Sequence, residues 1–262
     1  MLIAPYILAF LLVFSRTLGV VGTAPLIGSP QVPALWKIGL SFYLALTVYT
    51  TIPAHTLTGQ LGRISPGGFI EGVVVQSLAG AAIGLLSTFV FAAVQFAGEI
   101  IDVNAGLAIA NALSPGLVGP TGLISNFQYV LFALWFLSVN GHYAILLALL
   151  DSFRVMPLAA AFPTGPVADT FWRALISLFV IGVQLAAPVL LALLLTNVSL
   201  AIASRAVPQL NVFVVGLNIT MLVGIGLLFF VMPELVTSFS SLLNALETQL
   251  GQLLQGLGGK GP

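Results

Sequence analysis

The chain has very few charged residues and no cysteine. Its 262 residues include seven Lys or Arg and seven Asp or Glu, so 5% are charged and the formal net charge is zero. Soluble domains carry about 25% charged residues, so nearly all of this chain must avoid water. The balance of signs argues against a nucleic acid partner, because nucleic acid-binding surfaces need an excess of basic residues. The lack of cysteine excludes disulfides, thiolate metal sites and cysteine nucleophiles.

Residues that support catalysis or metal binding are also scarce. The two histidines, His55 and His142, stand far apart in the sequence and make no metal-binding motif. We find no glycine-rich phosphate loop, no serine nucleophile elbow and no zinc signature. We therefore predict a protein that is not an enzyme and that binds no cofactor or metal.

What the chain does contain is long apolar blocks. Hydrophobic residues make up 59% of it, and one membrane-spanning helix needs about 20 consecutive apolar residues. Charged and turn-forming residues divide the chain into six such blocks, at roughly 5–27, 38–57, 72–98, 127–150, 174–204 and 212–232. Polar connectors are expected at 59–68 and 151–173. We predict an all-α, polytopic membrane-associated protein in which residues 1–262 form a single domain.

The C-terminal residues 233–257 have a different pattern, with apolar residues every third or fourth position. This spacing draws one stripe along an amphipathic helix. The stripe consists of Leu235, Phe239, Leu242, Leu246, Leu250, Leu253 and Leu257. Such a helix can pack on a partner, lie on a membrane surface or fold back on its own chain, and the pattern leaves these alternatives open.

Residues 103–150 contain no Asp, Glu, Lys or Arg, yet part of this run cannot be an ordinary helix. The part at 104–122 is crowded with glycine and proline, which interrupt helices. Uncharged irregular backbone between membrane-type helices is tolerated only inside protein or along a cavity. We therefore predict an irregular segment at 103–126 that acts as a gate or a binding element.

Three charged residues lie within or at the end of apolar blocks. Arg16 lies in the middle of the first block, where a charge costs at least about 2.5–3.5 kcal/mol on insertion scales. Glu99 and Asp102 end the third block, three residues apart, which predicts one shared helix face. We predict that Arg16, Glu99 and Asp102 form an intramembrane charge network, which either holds helices in register or surrounds a polar conduit.

Small residues in the third block indicate close contact between helices. Gly80 and Gly84 are four residues apart, and this spacing lets helix backbones approach closely in lipid.

Four groups of residues, in order and spacing, resemble the FliR family of flagellar type III export-gate proteins and its virulence-secretion relatives. They are Phe14-Ser15-Arg16 with Pro25-Leu26-Ile27-Gly28; Gly98-Glu99-Ile100-Ile101-Asp102; Asn140-Gly141-His142; and the apolar string 187–197 with Pro208-Gln209-Leu210-Asn211. Together they cover nearly the whole chain.

The resemblance implies a core subunit of a type III protein export channel. In that family the subunit forms a helical pore assembly of tilted helical hairpins with FliP and FliQ homologues, and FlhB and FlhA homologues associate with it. The expected partners also include exported unfolded proteins and membrane lipid. The expected location is the bacterial inner membrane and the flagellar basal body, largely at the periplasmic face.

The resemblance also implies that a loop of this subunit plugs the pore. The predicted plug residues are Gly106, Leu107, Ile109, Leu113, Pro115, Gly116, Leu117, Val118 and Gly122. The family commonly has aromatic residues where this chain has aliphatic residues at 108–113, so we expect closure by aliphatic side chains. Apolar side chains at a constriction can close a pore by excluding water.

Other functions remain open at this stage. An injectisome export subunit of the same family differs little in the quoted residues. A small-molecule secondary transporter would need broken helices at corresponding places in its two halves, and the second half shows no clear counterpart to 104–122. A purely structural helix scaffold would leave that segment without a role.

Overall fold

The computed structural model describes residues 4–51, 66–107, 122–206 and 212–259, which contain seven α-helices and no strand. The helices are α1 (Ala4–Thr23), α2 (Ala34–Thr51), α3 (Pro66–Asn104), α4 (Leu123–Ser138), α5 (His142–Val155), α6 (Thr164–Ala206) and α7 (Val212–Leu257). The predicted all-α class is confirmed. By length and composition, α1, α3, α6 and α7 can each cross a membrane, and α4 and α5 together make a fifth candidate. The fold is that of an all-α polytopic membrane protein.

The prediction of one helix over 127–150 is wrong. The structure has two helices there, with residues 139–141 between them. Asn140 has a φ of 58°, in the left-handed region that Asn tolerates better than most residues, and Gly141 precedes α5 as its N-cap residue. The continuous apolar pattern hid this Asn-Gly interruption.

Two predicted connectors are shorter in the structure than the charge pattern indicated. Residues 66–68 belong to α3, and the predicted connector 151–173 shrinks to residues 156–163 between α5 and α6. Asp151, Arg154 and Asp169 lie in these helices with their side chains partly or fully exposed. Charged residues interrupt an apolar run without ending a helix, because they can occupy its solvent-facing side.

The predicted irregular range 103–126 overlaps a helix at each of its ends. Helix α3 continues to Asn104 and α4 begins at Leu123, so both ends of that range are helical. Residues 108–121 lie outside the described residues.

The block at 212–232 and the amphipathic tail form a single helix, α7, with Pro233 inside it. All seven residues of the predicted tail stripe are buried, with 0–4% of each residue exposed. The stripe therefore packs within its own chain, which was one of the alternatives left open by the sequence.

The chain divides into two compact units. Unit 1 comprises residues 1–89, 140–175 and 244–262, and unit 2 comprises residues 90–139 and 176–243. Helices α3, α6 and α7 each contribute residues to both units. The predicted single domain over 1–262 remains a prediction.

Helices α1 and α3 make a close backbone contact in unit 1. A Cβ atom at Gly80 would overlap the carbonyl oxygen of Arg16, and one at Gly84 would lie 2.7 Å from that of Val20. The Thr88 hydroxyl donates to Thr23 O at 2.7 Å. The close contact expected from the spacing of Gly80 and Gly84 is therefore present.

Helix α2 packs on α1 through edge-to-face aromatic pairs. The Phe10 ring lies 5.4 Å from Phe42 and 5.9 Å from Tyr49 between centroids. The Thr17 hydroxyl lies 3.1 Å from Ser41 O. The paired residue numbers rise in α1 as they fall in α2, so the two helices are antiparallel.

An aromatic cluster forms the core of unit 2. The Phe91 ring of α3 packs edge-to-face on Phe132 and Phe136 of α4, with centroids 4.7 and 5.1 Å apart. Phe132 also packs on Phe239 of α7 at 4.9 Å. These rings bury a large apolar area and fix the lateral position of α4.

Candidate functional site

Asp102 joins the end of α3 to the beginning of α4. Its carboxylate is buried, and Oδ1 and Oδ2 accept hydrogen bonds from the backbone N–H groups of Ile124 and Ser125, both at 2.9 Å. Gly122 precedes α4 and makes no side-chain cap of its own. Asp102 thus supplies the N-cap of α4 from a different helix, and its negative charge suits the positive end of the helix dipole.

Two glycines allow this close contact between α3 and α4. A Cβ atom at Gly98 would overlap the Cα atom of Ser125, and one at Gly122 would overlap the Asp102 carboxylate. We call Gly98, Asp102, Gly122, Ile124 and Ser125 the neck, because they hold together the two ends of the segment between α3 and α4.

A second contact anchors the chain just after α3. The Thr220 hydroxyl of α7 lies 3.3 Å from Ala105 O and 3.0 Å from Gly216 O, so its proton is shared between these acceptors. Gly106 has a φ of 77°, which an L-amino acid with a side chain rarely adopts. A Cβ atom there would also lie 2.7 Å from Leu217 Cδ1. Only glycine satisfies both the backbone angle and the space at this position.

A groove of about 330 Å³ lies beside this anchor. The end of α3, the later part of α6 and the early part of α7 line it, with Asn104, Asn197 and Thr220 as its polar side chains. It leaves room next to the point where the chain enters the segment 108–121.

Three of the nine predicted plug residues can be placed. Gly106 and Leu107 lie at the first end of the segment, where Leu107 is buried, and Gly122 lies at the other end in the neck. The remaining six lie outside the described residues, namely Ile109, Leu113, Pro115, Gly116, Leu117 and Val118. The plug role of all nine stays a prediction.

Arg16 is fully buried in unit 1 and binds uncharged groups. Its Nε donates to Gln76 Oε1 at 2.6 Å, Nη1 to Ser152 Oγ at 3.1 Å and Nη2 to the carbonyl of Met156 at 2.9 Å. The guanidinium also lies over the Phe153 ring, 4.2 Å from its centroid. Since Met156 is the C-cap of α5, the cation binds the negative end of a helix dipole.

The predicted network of Arg16, Glu99 and Asp102 stays a prediction, and the structure gives the hydrogen bonds of Arg16 and Asp102 within their own units. Arg16 takes its acceptors within unit 1, whereas Asp102 takes two backbone donors within unit 2. Glu99 is exposed while Asp102 is 3% exposed. Positions three apart on a helix differ by about 60° around its axis, enough to place one at the edge and the other inside a packed face.

Gln76 is a site residue that the sequence analysis missed. It is fully buried, binds Arg16, and donates from Nε2 to Leu158 O at 3.0 Å, so it fixes the turn after α5. Its signal was an uncharged polar side chain within the long apolar block 72–98. Thr220 was missed for the same reason.

No metal site is formed by the part of the chain that the structure describes. Within those ranges no three His, Asp or Glu residues come together as a group that could hold a metal ion. The Arg16 site and the Asp102 site each bind a helix end, through guanidinium, amide and hydroxyl groups in the first and a carboxylate in the second.

Comparisons with known proteins match nearly the whole chain. The family model described as bacterial export proteins, family 1, matches residues 7–246. Three similar proteins are each called flagellar biosynthetic protein FliR. The one from Bacillus subtilis (strain 168) is 36% identical over 80% of each chain, and that from Pectobacterium carotovorum subsp. carotovorum 33% over 92% of each. The one from Escherichia coli (strain K12) is 30% identical over 91% of each chain.

Proposed function

Because this chain belongs to family 1 of the bacterial export proteins, we propose that it is a core subunit of the flagellar type III protein export gate. Its relatives at 30–36% identity are named for flagellar biosynthesis. In this function the subunit helps to form and to close the channel through which unfolded flagellar proteins pass. It works by position and closure, without catalytic activity.

The observation that supports a gate most directly is the pair of hydrogen bonds that Ile124 and Ser125 N–H, at the start of α4, donate to the Asp102 carboxylate. It holds the two ends of the segment 108–121 together on a packed base of α3 and α4. Because the segment is uncharged, its apolar side chains can exclude water from a narrow pore.

The uncovered faces of α6 and α7 support a role within a membrane assembly. Each of these helices has a most apolar stretch of 18 residues. The buried share of that stretch is 28% in α6 and 22% in α7, compared with 61% in α3. Helices this apolar need lipid or protein on their remaining faces. We propose that FliP and FliQ homologues cover part of these faces, that FlhB and FlhA homologues associate with the complex, and that it lies at the periplasmic face of the inner membrane.

Two alternative functions fit less well. The names of the relatives favour the flagellar machine over the injectisome. A secondary transporter would need an interruption in its second half that corresponds to the one after α3. Helices α6 and α7 instead stay helical over 43 and 46 residues, across Pro188 and Pro233.

The plug can be tested by making it polar at constant length. We would replace Ile109, Leu113, Leu117 and Val118 together with serine in a flagellated host whose own copy of the subunit is deleted. We expect small molecules to leak through the inner membrane, because water enters a polar constriction. The same four positions changed to methionine, which stays apolar, serve as the matched control and should not leak. If the serine variant assembles, exports normally and stays tight, the plug assignment is wrong.

A further inference from the structure

Helices α6 and α7 pack against each other in opposite directions within unit 2. A Cβ atom at Gly224 would lie 3.7 Å from the Leu193 side chain, and one at Gly216 would lie 3.6 Å from the Leu200 side chain. The residue numbers fall in α6 as they rise in α7, so the two helices are antiparallel here. These two contacts give a common scale of height along both helices, at about 1.5 Å per residue.

Each of these helices has a proline in its interior, and the two prolines lie at similar heights. Pro188 in α6 and Pro233 in α7 have no N–H, so in each helix the carbonyl four residues earlier lacks its usual donor. We call the stretch from that carbonyl to the proline the proline turn. In each helix it covers the positions five to nine residues from the contact of Leu193 with Gly224. The two proline turns therefore lie side by side in height.

Glu234 adds an acidic side chain to the same height. It directly follows Pro233 and is exposed. The hydroxyls of Thr237 and Ser238, one turn later, donate to its backbone carbonyl at 2.8 and 2.9 Å and so are not available to its carboxylate. The described ranges of the chain give Glu234 no ion pair. This height of unit 2 thus collects hydrogen-bond acceptors that have no donor.

Unit 2 has no base that could reach this acid. Its single Lys or Arg is Arg205, near the end of α6. Arg205 lies five residues beyond the contact of Leu200 with Gly216, and Glu234 lies eighteen residues from that contact in the opposite direction. About 35 Å along the helix axes therefore separates the two charges. Unit 2 itself supplies no cation for Glu234.

The surface around these acceptors is apolar and uncovered. On α7, Phe230 is 84% exposed and Phe229 67%, and on α6 Leu191 is 62% exposed. Lipid tails would cover such residues but would leave the charge of Glu234 unpaired, which is costly. A basic side chain instead carries the opposite charge, and it has several N–H donors and no acceptor. Apolar contact and a cation together are what this surface lacks.

We propose that this surface of α6 and α7 docks an apolar helix of another subunit, and that one Arg or Lys of that helix pairs with Glu234 and donates to the proline turns beside it. The inference rests on the proposed function, because it needs an assembly of several membrane subunits. It adds to that function the chemistry by which the neighbouring subunit is recognised.

Two substitutions of Glu234 test the pair through the subunits that co-purify with the protein in mild detergent. We expect about threefold less of these subunits with Glu234→Gln, which removes an attraction, and about thirtyfold less with Glu234→Lys, which adds a repulsion. Glu247, another exposed acid of α7, is the matched control. Glu247→Gln and Glu247→Lys should retain as much of the partner subunits as the unchanged protein does.

The Tm of each purified variant separates docking from folding. It should stay unchanged in Glu234→Gln, because the side chain is exposed and its carboxylate bonds no group in the described part of the chain. A lower Tm would show that Glu234 is bonded within its own chain, which contradicts the inference.

An exchange of charges identifies the partner helix. In the Glu234→Lys background, each Arg or Lys within an apolar stretch of the co-purifying subunits is changed to Glu, one at a time. One exchange should raise co-purification at least about tenfold above that of Glu234→Lys alone. The same change beside the native Glu234 should lower it, because the coupling of two paired charges appears only in the double variant.

Three results would overturn the inference. The first is that Glu234→Lys retains its partners as well as Glu247→Lys does. The second is full retention by Glu234→Gln, which is expected if lipid covers this surface. The third is that no exchange of charges restores co-purification. The leak test of the serine plug variant reads the segment 108–121 alone, so a leak there together with any of these results would leave the proposed function standing.

Discussion

At the scale of single residues, the two buried charges act in the same way. Arg16 binds the carbonyl at the C-terminal end of α5, and Asp102 binds two N–H groups at the N-terminal end of α4. Each charge has the sign that suits the helix end it meets. The sequence could show that a charge in an apolar block must have a partner. The sequence could not show which residues are the partners, because Ser152 and Met156, which accept from Arg16, lie more than 130 residues away from it.

Replacing Arg16 with lysine tests whether the shape of the guanidinium matters. Lysine keeps the charge but cannot reach Gln76, Ser152 and Met156 O together, since it is a compact point charge. We expect the free energy of unfolding to fall by about 1–3 kcal/mol, measured by denaturation of the purified protein in detergent. Arg154→Lys changes an arginine whose side chain is 76% exposed and should have little effect. Equal effects of the two variants would contradict this account of Arg16.

Asp102 and Glu99, a buried and an exposed acid of α3, allow a matched test of the cap that Asp102 provides for α4. Asp102→Asn keeps the side-chain shape but removes the charge and one good acceptor, which should destabilise the start of α4 by about 1 kcal/mol. Glu99→Gln makes the same chemical change at an exposed position of the same helix. We expect reduced swimming and a lower Tm for Asp102→Asn only. If Glu99→Gln reduced swimming and Tm more than Asp102→Asn, the cap that Asp102 provides would not be what stabilises the start of α4.

At the scale of helices, local patterns predicted more than long-range contacts. The tail stripe follows from a three- and four-residue spacing, and all seven of its residues are buried as a helical face requires. Gly80 and Gly84 correctly indicated a close helix contact. The break at 139–141 was missed because Asn140 and Gly141 interrupt an otherwise apolar run without a charge. The two partners of Asp102 were unpredictable, because they belong to a helix that begins 21 residues later.

Two glycines of the first packed pair should respond to alanine with opposite signs. A Cβ atom at Gly80 would overlap the backbone of Arg16, whereas one at Gly22 in α1 meets no atom within 4 Å. Gly22→Ala should stabilise by about 0.5–1 kcal/mol through helix propensity. Gly80→Ala should destabilise by about 1–3 kcal/mol, because α1 and α3 must separate. Thermal unfolding of both variants measures the difference, and a stabilised Gly80→Ala would refute the close contact.

At the scale of the whole molecule, the chain leaves much of its apolar surface uncovered. Phe230 is 84% exposed, Leu222 74% and Leu195 68%. Such exposure is stable only in contact with lipid or other subunits. The composition, with 59% hydrophobic and 5% charged residues, was enough to predict a membrane protein. It could not indicate which faces meet partners, because helices buried against lipid and against protein have the same apolar composition.

Substitutions of two phenylalanines of α7 distinguish an effect on assembly from an effect on folding. Phe230→Ser alters an exposed ring and should leave Tm nearly unchanged, yet reduce co-purification with FliP and FliQ homologues. Phe239→Ser removes a ring that is 1% exposed and packed on Phe132, which should cost about 3–5 kcal/mol and impair folding itself. If Phe230→Ser co-purifies as well as the unchanged protein, this face does not meet those subunits.

The three acceptors that bind Arg16 become available one after another during synthesis. Gln76 follows Arg16 by 60 residues, but Ser152 and Met156 follow by 136 and 140. At about 5–20 residues per second, the ribosome needs roughly 7–30 s to supply that last acceptor. Until then α1 holds an incompletely bonded cation in an apolar helix. Helix α1 therefore reaches its final bonded state only after α5 has been made.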